Sequence, residues 1–126
     1  MNGNSFLIDT NIIIYVSKDI LLLEDFVRNE DALHISSITY IEAMGFPFQN
    51  VDEEAKVVMC CNKFKRLFLT EEVERQTILI RKSNKIKLPD AIIAATAIVH
   101  NLTLITCNSA DFKDIKGIKI LNPHER

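Results

Sequence analysis

The sequence predicts an α/β protein, a three-layer α/β/α sandwich around a central parallel sheet of four or five strands. Three observations predict it. Apolar runs of strand length alternate with longer segments of helical periodicity along the whole chain. The stretch Ala91 to Val99 is apolar almost all round, as a helix enclosed between layers must be. No Gly-, Ser- or Pro-rich linker, internal repeat or low-complexity tract divides the 126 residues, so a single domain spanning 1–126 is expected.

A first strand runs from Ser5 to Ile8, and the apolar run Ile12 to Val16 belongs to a helix that starts near Thr10. The polar triplet Asp9-Thr10-Asn11 is the hinge between them. Ile20, Leu23, Phe26 and Val27 recur at near-helical spacing and predict a second helical piece over 19–29. Ala32 to Ser36 reads as the second strand, with His34 on one of its faces. Ser36 and Ser37 suit the start of a helix through Thr39, Glu42 and Met44, which Gly45 and Pro47 stop. Asp52-Glu53-Glu54 favours the positive end of the next helix, where Val57, Cys60, Cys61 and Phe64 form a core stripe. Arg66 to Leu69 is a short third strand, and Thr70 caps a helix with Glu71, Glu72 and Glu74 in its first turn. Pro89 fits the first turn of the apolar helix, Asp90 to Val99, because its missing N–H is not needed there. Leu102 to Thr106 and Ile118 to Leu121 are the last strands. Such alternation implies parallel strands with helices on both faces of the sheet.

Apolar residues make up 48% of the chain and charged ones 25%, enough of the former to build a core. No apolar run approaches the roughly 20 residues that span a bilayer. Asp9 and Asn11 interrupt the N-terminal run, which has no basic leader, so a soluble cytoplasmic protein without a membrane partner is expected. The three cysteines, two of them adjacent, show no metal-binding spacing and read as reduced core thiols. Net charge is -2 but unevenly spread: residues 1–62 carry three basic and ten acidic side chains, residues 63–126 twelve and seven. Arg81, Lys82, Lys85 and Lys87 precede Asp90, either as a solvated face or as a hold on a phosphate backbone.

The acids carry the functional argument. Asp9 ends the first strand, Glu42 lies on the helix leaving the second, Asp90 opens the apolar helix, and Asp111 follows the fourth strand. In a parallel sheet these strand ends share one rim, where ligands bind. Each acid also has a plain structural reading: Asp9 as a helix cap, Glu42 as a solvated side chain, Asp90 as a partner of the helix dipole, Asp111 as a turn cap. Gathered together, the carboxylates would repel one another, and a divalent cation removes that conflict. Oxygen-only ligands suit Mg²⁺ or Mn²⁺, whose chemistry is phosphodiester hydrolysis. Thr10, Asn11, Thr106 and Asn108 would orient carboxylates, water or phosphate.

Four segments together resemble the PIN-domain nucleases, and within them the VapC-like toxins of type II toxin–antitoxin pairs. They are Leu7 to Asn11, Ser36 to Glu42, Leu88 to Ala97 and Leu104 to Phe112. The resemblance implies a PIN-like fold and Mg²⁺- or Mn²⁺-dependent endoribonuclease activity. It assigns catalytic and metal-holding roles to Asp9, Glu42 and Asp90. The fourth acidic position varies in the family; Asn108 cannot supply charge there, so Asp111 is the choice. The resemblance further implies an RNA substrate, a cognate antitoxin and a homodimer. Ile41, Met44, Phe46 and Phe48 are candidates for an apolar patch under the antitoxin, or equally for ordinary core.

Two other readings compete. A haloacid-dehalogenase-like phosphatase also uses an Asp after its first strand, but needs a second acid where this chain has Asn11. A catalytically silent PIN-fold RNA-binding or partner module would not need Asp9, Glu42 and Asp90 intact.

Overall fold

In the computed structural model, which describes residues 3–125, strand β1 (Ser5–Ile8) is the middle strand of five. Residues 1, 2 and 126, at the ends of the expected domain, lie outside the described residues. The other strands are β2 (Ala32–Ser36), β3 (Lys65–Leu67), β4 (Thr103–Ile105) and β5 (Lys119–Leu121). They lie in the order β3-β2-β1-β4-β5, and each neighbouring pair is parallel.

Side chains alternate across β1, and that alternation divides the interior in two. Phe6 and Ile8 face α1 (Thr10–Ser17) and α3 (Val51–Asn62), in a core with Ile12, Ile13, Val57, Cys60 and Cys61. Leu7 faces α4 (Glu71–Ser83) and α5 (Leu88–Val99), in a core with Val73, Ile80, Ile93, Ala94 and Leu104. Each large side chain removed from water contributes about 1.5–3 kcal/mol. Helix α2 (Ser37–Met44) joins the two: Ile38 packs on the second core, Tyr40 and Ala43 on the first. The result is the expected three-layer α/β/α sandwich.

The caps follow from the sequence. Ser36, Asn50 and Thr70 accept the backbone N–H of Thr39, Glu53 and Val73, the third residue on in each case. Helix α5 starts at Leu88, with Pro89 and Asp90 already inside its first turn.

One expected element is absent. Residues 19–29 form no helix beyond a 3₁₀ turn at Leu23–Asp25. Asp19 turns the chain with φ 60°, and Leu22 offers no side-chain cap. The apolar spacing there instead anchors a loop: Leu21, Leu23, Phe26 and Val27 pack on the α1/α3 core while Ile20 and Leu22 stay exposed. Asp31 ties the loop to the start of β1, accepting from the backbone N–H groups of Asn4 and Arg28, both at 2.8 Å. Strand β3 also ends earlier than expected, leaving Phe68 and Leu69 exposed ahead of Thr70.

Candidate active site

From β1 the sheet grows through β2 and β3 on one side and through β4 and β5 on the other. The crossover between β1 and β4 is therefore the switch point where an α/β sheet opens a crevice. Asp9 directly follows β1 and Thr106 directly follows β4.

Asp9 is 4% exposed. Its backbone N–H donates to the Ile105 carbonyl at 3.0 Å, which extends the β1–β4 ladder to the crevice. Its Oδ1 accepts from the Thr10 N–H at 2.8 Å, so it does cap α1. Its Oδ2 accepts from Thr106 Oγ1 at 2.7 Å and from Asn11 Nδ2 at 3.0 Å. A carboxylate oxygen accepts about two hydrogen bonds, so Oδ2 is filled and Oδ1 has room for one more partner. Burial pushes the Asp9 pKa up; the bonds from Thr106 and Thr10 pull the other way, and the charge on Glu42 adds to the rise. Asn11 is fully committed: its Oδ1 accepts from the Cys107 N–H at 3.1 Å, which fastens the loop after β4 to Asp9. Thr106 Oγ1 in turn accepts from the Asn108 N–H at 3.0 Å.

Glu42 has an exposed side chain, yet it is held. Its Oε1 accepts from Thr10 Oγ1 at 2.7 Å. Thr39 Oγ1 lies 3.2 Å from the same hydroxyl and 3.3 Å from Ser36 Oγ, so a line of hydroxyls backs the carboxylate. Asp90, half-buried in the first turn of α5, has a pKa pushed up to about 6. Burial is the main cause, followed by the charges of Asp9, Asp111 and Glu42, with Lys87 opposing.

Asp9, Glu42 and Asp90 line one cleft of about 580 Å³ together with Thr10, Asn11 and Asn108. Asp111 does not. It sits exposed at the end of a 3₁₀ turn, Ser109–Asp111, and lines a second pocket of about 430 Å³. Asp90 belongs to both hollows and is the wall between them. Thr106 is buried behind Asp9 and reaches the cleft only through it.

Among the described residues, no three His, Cys, Asp or Glu side chains stand together as a ready-formed metal shell. The carboxylates nevertheless act on one another strongly enough to move Asp90. They face a common space without meeting at one point. An oxygen-only donor set, a spare lone pair on Asp9 and mutual repulsion fit a hard divalent cation drawing them in.

Thr39 and Ser36 were not among the sequence candidates. The i, i+3 spacing of Thr39 and Glu42 on α2, which puts them on one helix face, is the signal that finds the first. Of the apolar candidates, Ile41 is 62% and Phe46 37% exposed, Met44 is half-buried, and Phe48 packs on the α1/α3 core. Cys60 and Cys61 are buried, and burial pushes the Cys60 thiol up to about 11. No helix among the described residues is long and apolar enough to cross a membrane.

The family model for the PIN domain matches residues 6–118. Ribonuclease VapC1 of Rickettsia felis is 32% identical over 127 aligned positions, which cover 91% of this chain and 93% of that protein. Among solved structures, a toxin–antitoxin complex from Klebsiella pneumoniae aligns with a TM-score of 0.75 at 32% identity, over 96% of this chain and 99% of the matched one. VapBC2 from Rickettsia felis, bound to a DNA fragment from its promoter, shares the fold with a TM-score of 0.80 at 22% identity, over 94% and 98% of the two chains.

Proposed function

The chain belongs to the PIN-domain family and is VapC-like, and from that premise we propose that it is a ribonuclease. In this reading it is the toxin of a VapBC-type toxin–antitoxin pair, working in the cytoplasm as a single domain spanning 1–126. The reaction is endonucleolytic hydrolysis of RNA phosphodiester bonds, dependent on Mg²⁺ or Mn²⁺. One observation carries the reading: Asp9, Glu42 and Asp90, remote in sequence, line a single cleft at the switch point of the sheet.

A bound Mg²⁺ or Mn²⁺ supplies positive charge to the phosphate and makes water a better nucleophile at neutral pH. Asp9, Glu42 and Asp90 would hold it, with Asp111 approaching from the neighbouring pocket. The protein's own part is orientation. Thr106 and Asn11 fix the plane of the Asp9 carboxylate and leave Oδ1 turned to the cleft. Thr10 keeps Glu42 from swinging into solvent. Asp90, whose pKa burial and the neighbouring carboxylates raise to about 6, would be favoured in its ionised form by a cation held there. Thr10 and Asn11 spend their donors on orienting Glu42 and Asp9, which leaves the Asn108 side chain on the cleft wall for a phosphate. A phosphatase chemistry is disfavoured by Asn11, whose amide is taken up by Asp9 and the Cys107 N–H.

Partner binding follows the same premise. The exposed side chain of Phe46 on the cleft wall offers an antitoxin an apolar foothold there, exposed Ile41 belongs to a separate hollow with Leu67, Leu69 and Ile92, and in the same reading the functional unit is a homodimer.

The test is RNA cleavage by the purified protein. Single-stranded RNA should be cut with Mg²⁺ or Mn²⁺ and left intact with EDTA, and the fragments should carry 5′-phosphate and 3′-hydroxyl ends. Asp9→Asn and Asp90→Asn should stay folded and lose about 100-fold or more of the rate. Cleavage by Asp9→Asn at the wild-type rate would sink the reading.

A further inference from the structure

We infer that Lys85 and Lys87 form a subsite for a backbone phosphate of the substrate strand, next to the carboxylate cleft. The inference rests on the ribonuclease reading above. The segment between α4 and α5 is short and held at both ends. Asn84 leaves α4 extended, with φ -140° and ψ 146°, while its side-chain amide donates to the Ile80 carbonyl at 3.0 Å. Lys87, just before α5, is extended too, with φ -69° and ψ 149°. Extended chain sends successive side chains to opposite sides. Ile86 packs on the α4/α5 core. Lys85 and Lys87, like Ile86 between them, border the 430 Å³ pocket that also holds Asp90, Asp111 and Asp114.

Both lysines are exposed, and although the charge of Lys87 acts on Asp90, neither lysine comes within 4.0 Å of a carboxylate among the described residues. Among the described residues the one ion pair within 4.0 Å is Arg75–Glu71, on the far part of α4. Two ammonium groups therefore border a pocket with three carboxylates and bond to none of them. An ammonium is a compact charge that takes a phosphate oxygen without demanding a fixed geometry. Positions i and i+2 of extended chain lie about 6.6 Å apart, so the pair can follow a strand and not just one oxygen.

Charge decides when the pocket takes a polyanion. Its acids outnumber its lysines while the acids are ionised and bare, and phosphate is repelled. A divalent cation on Asp90 and its neighbours reverses that balance, and the lysines then attract. Asp90 is the shared wall, so a strand lying over it reaches the cleft on one side and the lysines on the other.

The experiment has two arms. In the first, anisotropy reports binding of a labelled single-stranded 12-nucleotide RNA to protein with all its carboxylates intact, with Ca²⁺ in place of Mg²⁺ or Mn²⁺ to withhold cleavage, with and without Lys85→Gln/Lys87→Gln. The double change should weaken binding about tenfold at low salt and reduce the slope of log K against log salt by about 1.4. Lys85→Arg/Lys87→Arg should keep the slope, and Lys56→Gln on α3 should change neither quantity. In the second arm, the same double change in otherwise wild-type protein should raise KM for RNA and leave kcat at saturation unaltered. Unchanged affinity and salt slope overturn the subsite, as does a lower kcat at unchanged KM. If wild-type protein cuts no RNA with Mg²⁺ or Mn²⁺, the ribonuclease reading falls. The binding arm then still decides whether the lysines hold phosphate.

Discussion

Asp90 keeps its proton to about pH 6 because burial and three neighbouring carboxylates disfavour its charge. In the unfolded chain the same group releases its proton near its ordinary value of 3.8, so between those values the folded form binds more protons. Its contribution to stability is thus full below the unfolded value, is lost as pH rises through about 6, and stays lost above. The raised Asp9 pKa acts in the same direction. Metal-free Asp90→Asn protein should therefore melt about 2–5 °C higher than wild type at pH 8, with no difference near pH 4. Calorimetry across that range checks it. Thr106 acts in the opposite sense. Its 2.7 Å bond favours the ionised form of Asp9, so Thr106→Val should raise the Asp9 pKa further and cost about 1–3 kcal/mol. The expected readout is an acid limb of the pH–rate profile displaced to higher pH, with a matching shift in a ¹³C carboxyl titration. Asp9 was legible because it ends an apolar run of strand length. Asp111 was grouped with the other acids but lines the next hollow, because the loop after β4 curls through a 3₁₀ turn that leaves no periodic trace in the sequence.

Elements with a repeating pattern and a side-chain cap formed where they were expected. Ser36 and Thr70 precede true helices as expected, α3 is capped by Asn50, which the sequence reading passed over, and β1 and β2 keep their expected bounds. Residues 19–29 show the converse. Helical spacing produced an anchored loop there, because the apolar contacts of Leu21, Leu23, Phe26 and Val27 can be made by a chain that never coils. The C-terminal segment could not be read at all, since its role is polar and long-range. Asn122 Nδ2 reaches Glu125 Oε1 at 2.8 Å, Ser109 Oγ at 3.1 Å and the Cys107 carbonyl at 3.3 Å, and Ser109 also bonds Glu125. The segment after β5 thereby braces the loop that carries Asn108 and Asp111. Asn122→Ala should cost about 1–2 kcal/mol and speed amide hydrogen exchange across residues 107–111 while leaving that of α4 unchanged.

At the scale of the molecule, the field of the carboxylates and the stability of the fold are linked. A cation that binds the folded form alone stabilises it by about 2.7 kcal/mol at a hundred times its dissociation constant. Mn²⁺ should therefore raise the melting temperature at pH 8, and much less at pH 5, where Asp90 retains its proton. An equal rise at both pH values would count against Asp90 as a ligand. The sandwich itself was legible because strand and helix periods alternate so regularly. The order of its strands was not, since β1 takes one neighbour from early in the chain and the other from late. That arrangement has a consequence during synthesis. Thr106 reaches Asp9 across 97 residues, and β4 must pair with β1 before the crevice exists. A nascent polypeptide that stops short of β4 holds Asp9 without its partner or its wall, so the crevice takes shape only once Thr106 has been made.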